Sequence, residues 1–356
     1  MKHRVDAVRR RIEHHRLDAI LVSSLKNIRY LFGFTGSNAL ALISASRCIF
    51  VTDRRYTAQS AEQVQNAEIV ISEKDLLSAL KNEDFLPDKA RLGFEAVHLN
   101  TRDFLQLKNK FSRVQLVATE RLVEKIASIK EAEEVEHIRA AGSICANVFA
   151  DVVPLIRRGV SELDISAEIT YRAMKSGSER NPFEPIVASG KRAALPHGIS
   201  SGKKIKAGDL VIIDFGAVVN GYAADCTRTV VVGKIKRRQK QLIGAVQGAL
   251  DLAEVSAKPG MTGRQLDAVA RDHLRSHQLA DFFQHSLGHG LGLDVHELPR
   301  IGETSNDPIE AGNVITLEPG VYLPDFGGIR IENDYLITGN GVENLTPFPR
   351  EVVCVE

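Results

Sequence analysis

The 356-residue sequence lacks a charge imbalance: 46 Lys and Arg against 45 Asp and Glu leave a net charge of +1. No whole-molecule field then favours nucleic acid or an acidic membrane surface, and no segment reads as a nucleic-acid-binding motif. The four cysteines, Cys48, Cys145, Cys226 and Cys354, are widely spread and form no C-x-x-C. That argues against a zinc ribbon or a dithiol redox centre, and a reducing cytoplasm suits such cysteines. No apolar run approaches the ~18–20 residues needed to span a bilayer. Nor does the basic start, Met1-Lys-His-Arg4, lead into the apolar stretch and small-residue cleavage site of a secretory signal. Asp6 and Glu13 interrupt it, and Val5, Val8 and Ile12 recur at helical spacing instead. What remains is the composition of an ordinary globular protein, 44% hydrophobic and 26% charged. The chain is longer than one hydrophobic core usually serves, so two domains are expected.

The first 120 residues alternate helical and strand-like segments. After the amphipathic first helix come a strand at Ala19-Ile-Leu-Val22, a hairpin from Leu40–Ile43 and Cys48–Val51, a helix through Thr57–Gln65 and a strand at Ile69–Ile71. A helix at Leu76–Leu80, a strand at Arg91–Phe94 and a helix from Thr101 to Lys110 follow, with Thr101 as its expected N-cap. This pattern predicts a mixed α/β domain over residues 1–120, joined through 121–130 to a second domain over 131–356. From Glu120 to Ala141 a charged helical pattern marks the join and continues towards Pro154; Glu131–Glu136 reads as a solvated face without chemistry. Further helices are expected at Ser161–Met174, opening with the cap-like Ser161-Glu-Leu-Asp164, and at Gln239–Ala257 and Thr262–His277. Helices separated by strand pairs predict an α+β catalytic domain with helices packed on a curved sheet.

An internal echo points to the chemistry. Ala207-Gly-Asp-Leu-Val-Ile-Ile-Asp214-Phe-Gly216 returns as Ala311-Gly-Asn-Val-Ile-Thr-Leu-Glu318-Pro-Gly320, each a turn and an apolar run ending in a carboxylate. A second acid follows each copy, Asp225 within Tyr222–Val230 and Glu332 within a strand-like Gly328–Tyr335. Acids are depleted in strands and rarely buried alone, so these positions require partners. In a strand, residues two apart share a face, which would set Thr227 beside Asp225 and Arg330 beside Glu332. Four converging carboxylates repel one another, and two divalent cations relieve that conflict. Oxygen-rich ligation with one imidazole suits Mn²⁺, Co²⁺, Fe²⁺ or Zn²⁺.

Three of the eleven histidines fall in His285-Ser-Leu-Gly-His289-Gly-Leu-Gly-Leu-Asp-Val-His296-Glu297. Glycines flanking His289 would let the backbone approach a metal or substrate, so His289 is the expected fifth ligand. His296, and His197 in Leu195-Pro-His-Gly198, are candidates for substrate contacts. Two glycine-rich pieces are set aside. Gly198-Ile-Ser-Ser-Gly-Lys203 is one residue short of a phosphate loop and is followed by Lys204 where Ser or Thr should reach Mg²⁺. Gly288-His-Gly-Leu-Gly292 lacks dinucleotide-loop spacing.

Leu195-Pro-His-Gly, Asp214-Phe-Gly, Gly221-Tyr through Asp225-Cys-Thr-Arg-Thr, Gly288-His-Gly-Leu-Gly, Val295-His-Glu, Glu318-Pro-Gly and Arg330-Ile-Glu332 together resemble the pita-bread metallopeptidases. That family includes aminopeptidase P, prolidase and methionine aminopeptidase. Asn27–Ser37 and Thr52-Asp-Arg-Arg-Tyr56 look like the N-terminal domain of the proline-specific branch. The resemblance implies a curved sheet with an internal pseudo-twofold repeat, two divalent metal ions per subunit with Mn²⁺ favoured, and hydrolysis of Xaa-Pro bonds. It implies that Asp225 and Glu332 bridge the ions, Asp214 chelates one, and His289 and Glu318 complete the other. It further implies that Glu318 shuttles a proton, that His296 lies by the scissile carbonyl and His197 by the leaving group, and that His285 and Arg330 support ligands or substrate; Thr227 enters as a supporting donor from its strand position alone. A homodimer is implied as well. Two other readings stay open, a creatinase-like hydrolase and a catalytically silent pita-bread binding module, although both are expected to lack ligands that this sequence keeps.

Overall fold

Val5, Val8 and Ile12 are buried on one side of helix α1 (Lys2–His14), as their spacing predicts. The chain is described here by a computed structural model covering residues 1–81, 85–346 and 348–356. It divides into two units, Met1–Ala127 and Ser128–Glu356. After α1 the first unit runs through β1 (Ala19–Val22), α2 (Leu25–Phe32), β2 (Ala39–Ser44), β3 (Cys48–Asp53), α3 (Thr57–Gln63) and β4 (Glu68–Ser72). It continues through α4 (Leu76–Lys81), β5 (Arg91–Glu95), α5 (Thr101–Lys110), β6 (Gln115–Thr119) and α6 (Glu124–Ala127). The six strands form one sheet in the order β4-β3-β2-β1-β5-β6. Only the β1–β2 and β2–β3 pairs are antiparallel.

Three details differ from the sequence reading. Asn100, not Thr101, caps α5: its side chain accepts the Asp103 N–H at 3.0 Å, leaving Thr101 inside the first turn. Helix α2, which the apolar pattern did not reveal, starts at a Ser24 cap and stops at Gly33, whose φ of 74° suits glycine. The charged stretch from Glu120 is not one helix. After α6 the chain is extended, Ile129 bridges Asn313, and helix α7 (Ala132–Val152) begins beyond it. Nor is that stretch wholly solvated, since Lys130 and Glu134 are buried and Glu134 accepts the Tyr222 hydroxyl at 2.7 Å.

The second unit continues through α8 (Glu162–Lys175), β7 (Ile186–Ser189), β8 (Leu210–Val219), β9 (Tyr222–Val232), α9 (Arg237–Ser256) and α10 (Gly263–Ser276). Strands β10 (Gly288–Gly290), β11 (Glu297–Ile301), β12 (Val314–Leu317), β13 (Gly320–Leu323), β14 (Gly327–Arg330), β15 (Asn333–Thr338), β16 (Gly341–Asn344) and β17 (Val353–Val355) complete it. They order as β17-β9-β8-β7, β11-β10-β12-β15-β16 and the hairpin β13-β14. Ser161 and Asp164 cap α8 reciprocally, at 3.2 and 2.9 Å, as the motif predicts. Helix α7 with the turn after it is long and apolar enough by composition to cross a bilayer. Here Ala141, Cys145, Val148 and Val152 instead pack into the core with β8 and β9.

Alternation on the strands explains how acids come to lie inside. On β8, Val211, Ile213, Phe215 and Ala217 face α7 and α8, and on β9 so do Ala224, Cys226, Val230 and Val232. The alternate residues, Asp214 on β8 and Asp225 and Thr227 on β9, point to the opposite face, which is buried too. In the second copy α9 and α10 cover Ile315 and Leu317 of β12 and Tyr335 of β15. Each half of the echo thus carries its own helix pair. The copies differ at Pro319, which has no N–H to continue the β12 ladder. The chain peels into the β13–β14 hairpin and returns to pair Asn333 with Leu317. Gly328–Tyr335 is therefore not one strand, and Glu332 sits at the joint, its N–H donating to the Thr227 carbonyl at 3.1 Å.

Candidate metal centre

In register, β8 sets Asp214 opposite Thr227 of β9 and Gly216 opposite Asp225. Glu318 follows the last residue of β12, and its N–H donates to the Leu287 carbonyl at 2.8 Å. His289 occupies the middle of β10, between β11 and β12. Its flanking glycines are required by packing against the neighbouring strands. A Cβ at Gly288 would collide with the Thr316 carbonyl, and one at Gly290 with that of Leu298. Asp225, His289 and Glu332 each offer a ligand atom, all within 4.8 Å of one another. The His289 Nε2 lies 3.5 Å from Glu318 Oε1 and 3.8 Å from Asp225 Oδ2.

The His289 Nδ1 donates to the Gly290 carbonyl at 3.0 Å, which leaves Nε2 as the bare nitrogen facing two carboxylates. Burial, and next His296, lower the His289 pKa to about 4, so the ring is neutral near neutral pH. The carboxylates move the other way. Burial, then Glu332 and Asp214, push Asp225 well above the usual range, and burial followed by Glu332 does the same to Glu318. Glu332 is raised to about 7 by burial and then Asp214, against the pull of Thr227 and Arg330. Buried side-chain oxygens without a hydrogen-bond partner include Asp214 Oδ1, Asp225 Oδ1 and Glu332 Oε1. Buried polar atoms are normally satisfied. Unpaired acid oxygens clustered beside a neutral imidazole nitrogen are what divalent cations satisfy, so these residues fit such ions.

The oxygens on the other side of two of these acids are held by the protein, in a crossed arrangement. Thr227 Oγ1 donates to Glu332 Oε2 at 2.6 Å rather than to Asp225, the neighbour on its own strand. Arg330 donates to Asp214 Oδ2 at 2.5 Å and to Thr227 Oγ1 at 3.1 Å, not to Glu332. Because β14 ends at Arg330 and β15 starts only at Asn333, Arg330 and Glu332 do not share a strand, and the face-sharing that one strand would impose does not apply. Arg330 also donates to the Tyr322 hydroxyl at 2.6 Å and to the Pro196 carbonyl at 3.1 Å. Tyr322 in turn meets His285 Nε2 at 2.8 Å, while His285 Nδ1 donates to the Ser286 carbonyl at 2.8 Å. Burial and then Arg330 lower the His285 pKa to about 3, consistent with Nε2 accepting from the tyrosine. His296 is exposed, its ring 4.4 Å from that of His289. His197 lies on an exposed loop next to the anchored Pro196 and close enough to His285 to affect its charge.

Two participants escaped the sequence reading. Tyr322 joins Arg330 to His285 and is buried. Asp334, fully buried, accepts the Asp225 N–H at 3.0 Å and is pushed well above its usual pKa by burial. An acid two residues beyond Glu332 was the available signal for the latter. Lys203 needs no phosphate, since its ammonium pairs with Asp209 at 2.9 Å.

The model of metallopeptidase family M24 matches residues 136–339, which span every acid and imidazole of the centre. The chain belongs to metallopeptidase family M24. Residues 4–129 match the creatinase/prolidase N-terminal domain. The chain is 33% identical to a Xaa-Pro dipeptidase of Pyrococcus furiosus over 99% of its own length and 100% of that protein's. Its structure is similar to that of a Xaa-Pro dipeptidase from Bacillus anthracis, with a TM-score of 0.96, 35% identity and 99% of both chains covered. An X-Pro aminopeptidase from Thermotoga maritima gives a TM-score of 0.88 at 36% identity, covering 95% of this chain and 98% of that one. This M24 chain thus has the two-domain plan expected from its sequence, a mixed α/β N-terminal domain and a pita-bread domain.

Proposed function

We propose that this protein hydrolyses the Xaa-Pro bond, at the N-terminus of peptides or in Xaa-Pro dipeptides, with two divalent cations held by Asp214, Asp225, His289, Glu318 and Glu332. The observation that carries the reading is the set of buried acid oxygens with no partner beside the bare His289 nitrogen. It stands in a chain similar along its length to Xaa-Pro dipeptidases. Asp214 and Glu332 each give one oxygen to a protein donor and keep the other for the centre. Mn²⁺ is favoured, with Co²⁺, Zn²⁺ or Fe²⁺ as alternatives. When bound, such a pair of cations supplies the Lewis acidity that brings the pKa of water near neutral and polarises the scissile carbonyl.

The protein's own groups do the rest. Glu318 takes the proton from the attacking water and returns it to the departing proline nitrogen. Like any amide nitrogen it must be protonated to leave, and because it carries no hydrogen in the peptide the pocket must recognise ring shape rather than an N–H. His296, exposed beside His289, contacts the scissile carbonyl, and His197 the leaving proline. His285, Arg330 and Thr227 fix the acids and the substrate's polar ends. A cytoplasmic homodimer belongs to the same proposal. The test is bound-metal analysis together with release of proline from Xaa-Pro, and of Xaa from Xaa-Pro-Yaa, with Mn²⁺ or Co²⁺ added. Absence of both metal and cleavage would leave a silent binding module as the better reading.

A further inference from the structure

We propose that Lys130 and Glu297 are a positioning pair that clamps the loop carrying His296. The inference rests on the peptidase reading for its catalytic consequence, and on separate geometry for the clamp. Lys130 Nζ lies 2.7 Å from Glu297 Oε2, with the two side chains only 1% and 16% exposed. A lysine buried to that degree is costly unless its partner is fixed. Both partners are fixed. The Lys130 N–H donates to the Gly312 carbonyl at 2.8 Å, tying the lysine to the turn before β12. Glu297 opens β11, where it pairs with Gly290 of β10.

The other oxygen of Glu297 reaches back over the loop, accepting the Asp294 N–H at 2.9 Å. Gly292 packs so closely under this carboxylate that a Cβ there would lie 2.5 Å from Oε2. The loop is further stitched by Gly292 N–H to the Asp294 carbonyl at 3.0 Å and by Ala223 N–H to the Gly292 carbonyl at 2.8 Å, the latter reaching β9. His296 is the residue immediately before Glu297, and its ring lies 4.4 Å from that of His289. One carboxylate, oriented by one buried ammonium, therefore sets the path of the segment from Gly292 to His296. A shift of this segment moves His296 relative to the acids without touching any of them. Misplacement by about 1 Å costs on the order of 100-fold in rate.

The test compares Lys130→Met, Lys130→Arg and Glu297→Gln with the wild-type full chain. Two readouts are taken: steady-state hydrolysis of an Xaa-Pro dipeptide with Mn²⁺, and backbone hydrogen exchange of residues 291–297 in chelator-treated protein. Lys130→Met is expected to lose about 10- to 100-fold in kcat with KM changed by less than about 3-fold, and to speed exchange across the loop. Lys130→Arg is expected to restore both. Combining Lys130→Met with Glu297→Gln should cost little more than either alone, because they break one device. If Lys130→Met does not fold, Glu297→Gln carries the same comparison. Wild-type kcat in Lys130→Met, a loss of kcat with unchanged loop exchange, or additive losses in the double variant would overturn the clamp. An inert wild-type protein would instead sink the peptidase reading, while the exchange comparison would still decide whether the pair holds the loop.

Discussion

Thr227 accepts from Arg330 and donates to Glu332, so a single hydroxyl connects the cation that holds Asp214 to the acid on the other half of the echo. Replacing it by valine keeps its shape and removes both bonds. Thr227→Val is expected to weaken metal affinity and kcat/KM by roughly 10- to 100-fold, with Thr227→Ser restoring most of both, read by metal titration and kinetics. Glu332 gives a pH signature in metal-free protein, because its pKa is raised from 4.5 to about 7. Between those values the folded state keeps a proton that the unfolded chain has released, so this group makes stability fall as pH rises through the window. Chelated Glu332→Gln should match wild type below about pH 4.5 and become the more stable of the two as pH rises through 7, measured by denaturant unfolding at each pH. Equal stabilities at pH 8 would show that Glu332 is not a buried charge at odds with its neighbours. Asp214 and Glu318 stood out in the sequence because an acid closing an apolar run is anomalous, and Asp225 and Glu332 because each follows in a strand-like segment, whereas His289 was drawn from its flanking glycines and neighbouring histidines. Tyr322 and Lys130 did not stand out, since a tyrosine in a strand or a lysine in a charged run is unremarkable until the fold brings distant segments together.

At the scale of elements, periodicity located most helices and strands, and the departures have identifiable causes. Pro319 interrupts the second copy of the repeat, so the pattern that predicted one strand through Glu332 was broken by an inserted hairpin. Helix α2 is only eight residues long, too short for its apolar spacing to stand out, although Ser24 and Gly33 marked its ends. Helix α8 shows what a well-read element positions. Glu162 in its first turn is fully buried and accepts from the Ser189 N–H and hydroxyl, Arg192 and the Ser201 N–H and hydroxyl, gathering the loop on which His197 sits. Glu162→Leu leaves those donors without an acceptor. It is expected to cost about 3 kcal/mol by denaturant unfolding and to raise KM for dipeptide, whereas Ser161→Ala should cost about 1 kcal/mol and leave KM unchanged.

For the whole molecule, every proposed ligand lies in the Ser128–Glu356 unit. Chelation is therefore expected to speed hydrogen exchange in β8, β9, β10 and the Glu318 and Glu332 segments, and to leave the six-stranded sheet of Met1–Ala127 unchanged, because ligand binding stabilises what it touches. Two sequence-similar strand pairs, each covered by its own two helices, bring acids from segments more than a hundred residues apart to one buried face. Hydrolysis of an Xaa-Pro dipeptide by chelator-treated protein, followed as Mn²⁺ or Co²⁺ is added back, tests this most directly. The proposed centre predicts no activity without metal and proline release that saturates near two ions per chain. Full activity in the thoroughly chelated protein, or none at any metal concentration, would contradict it.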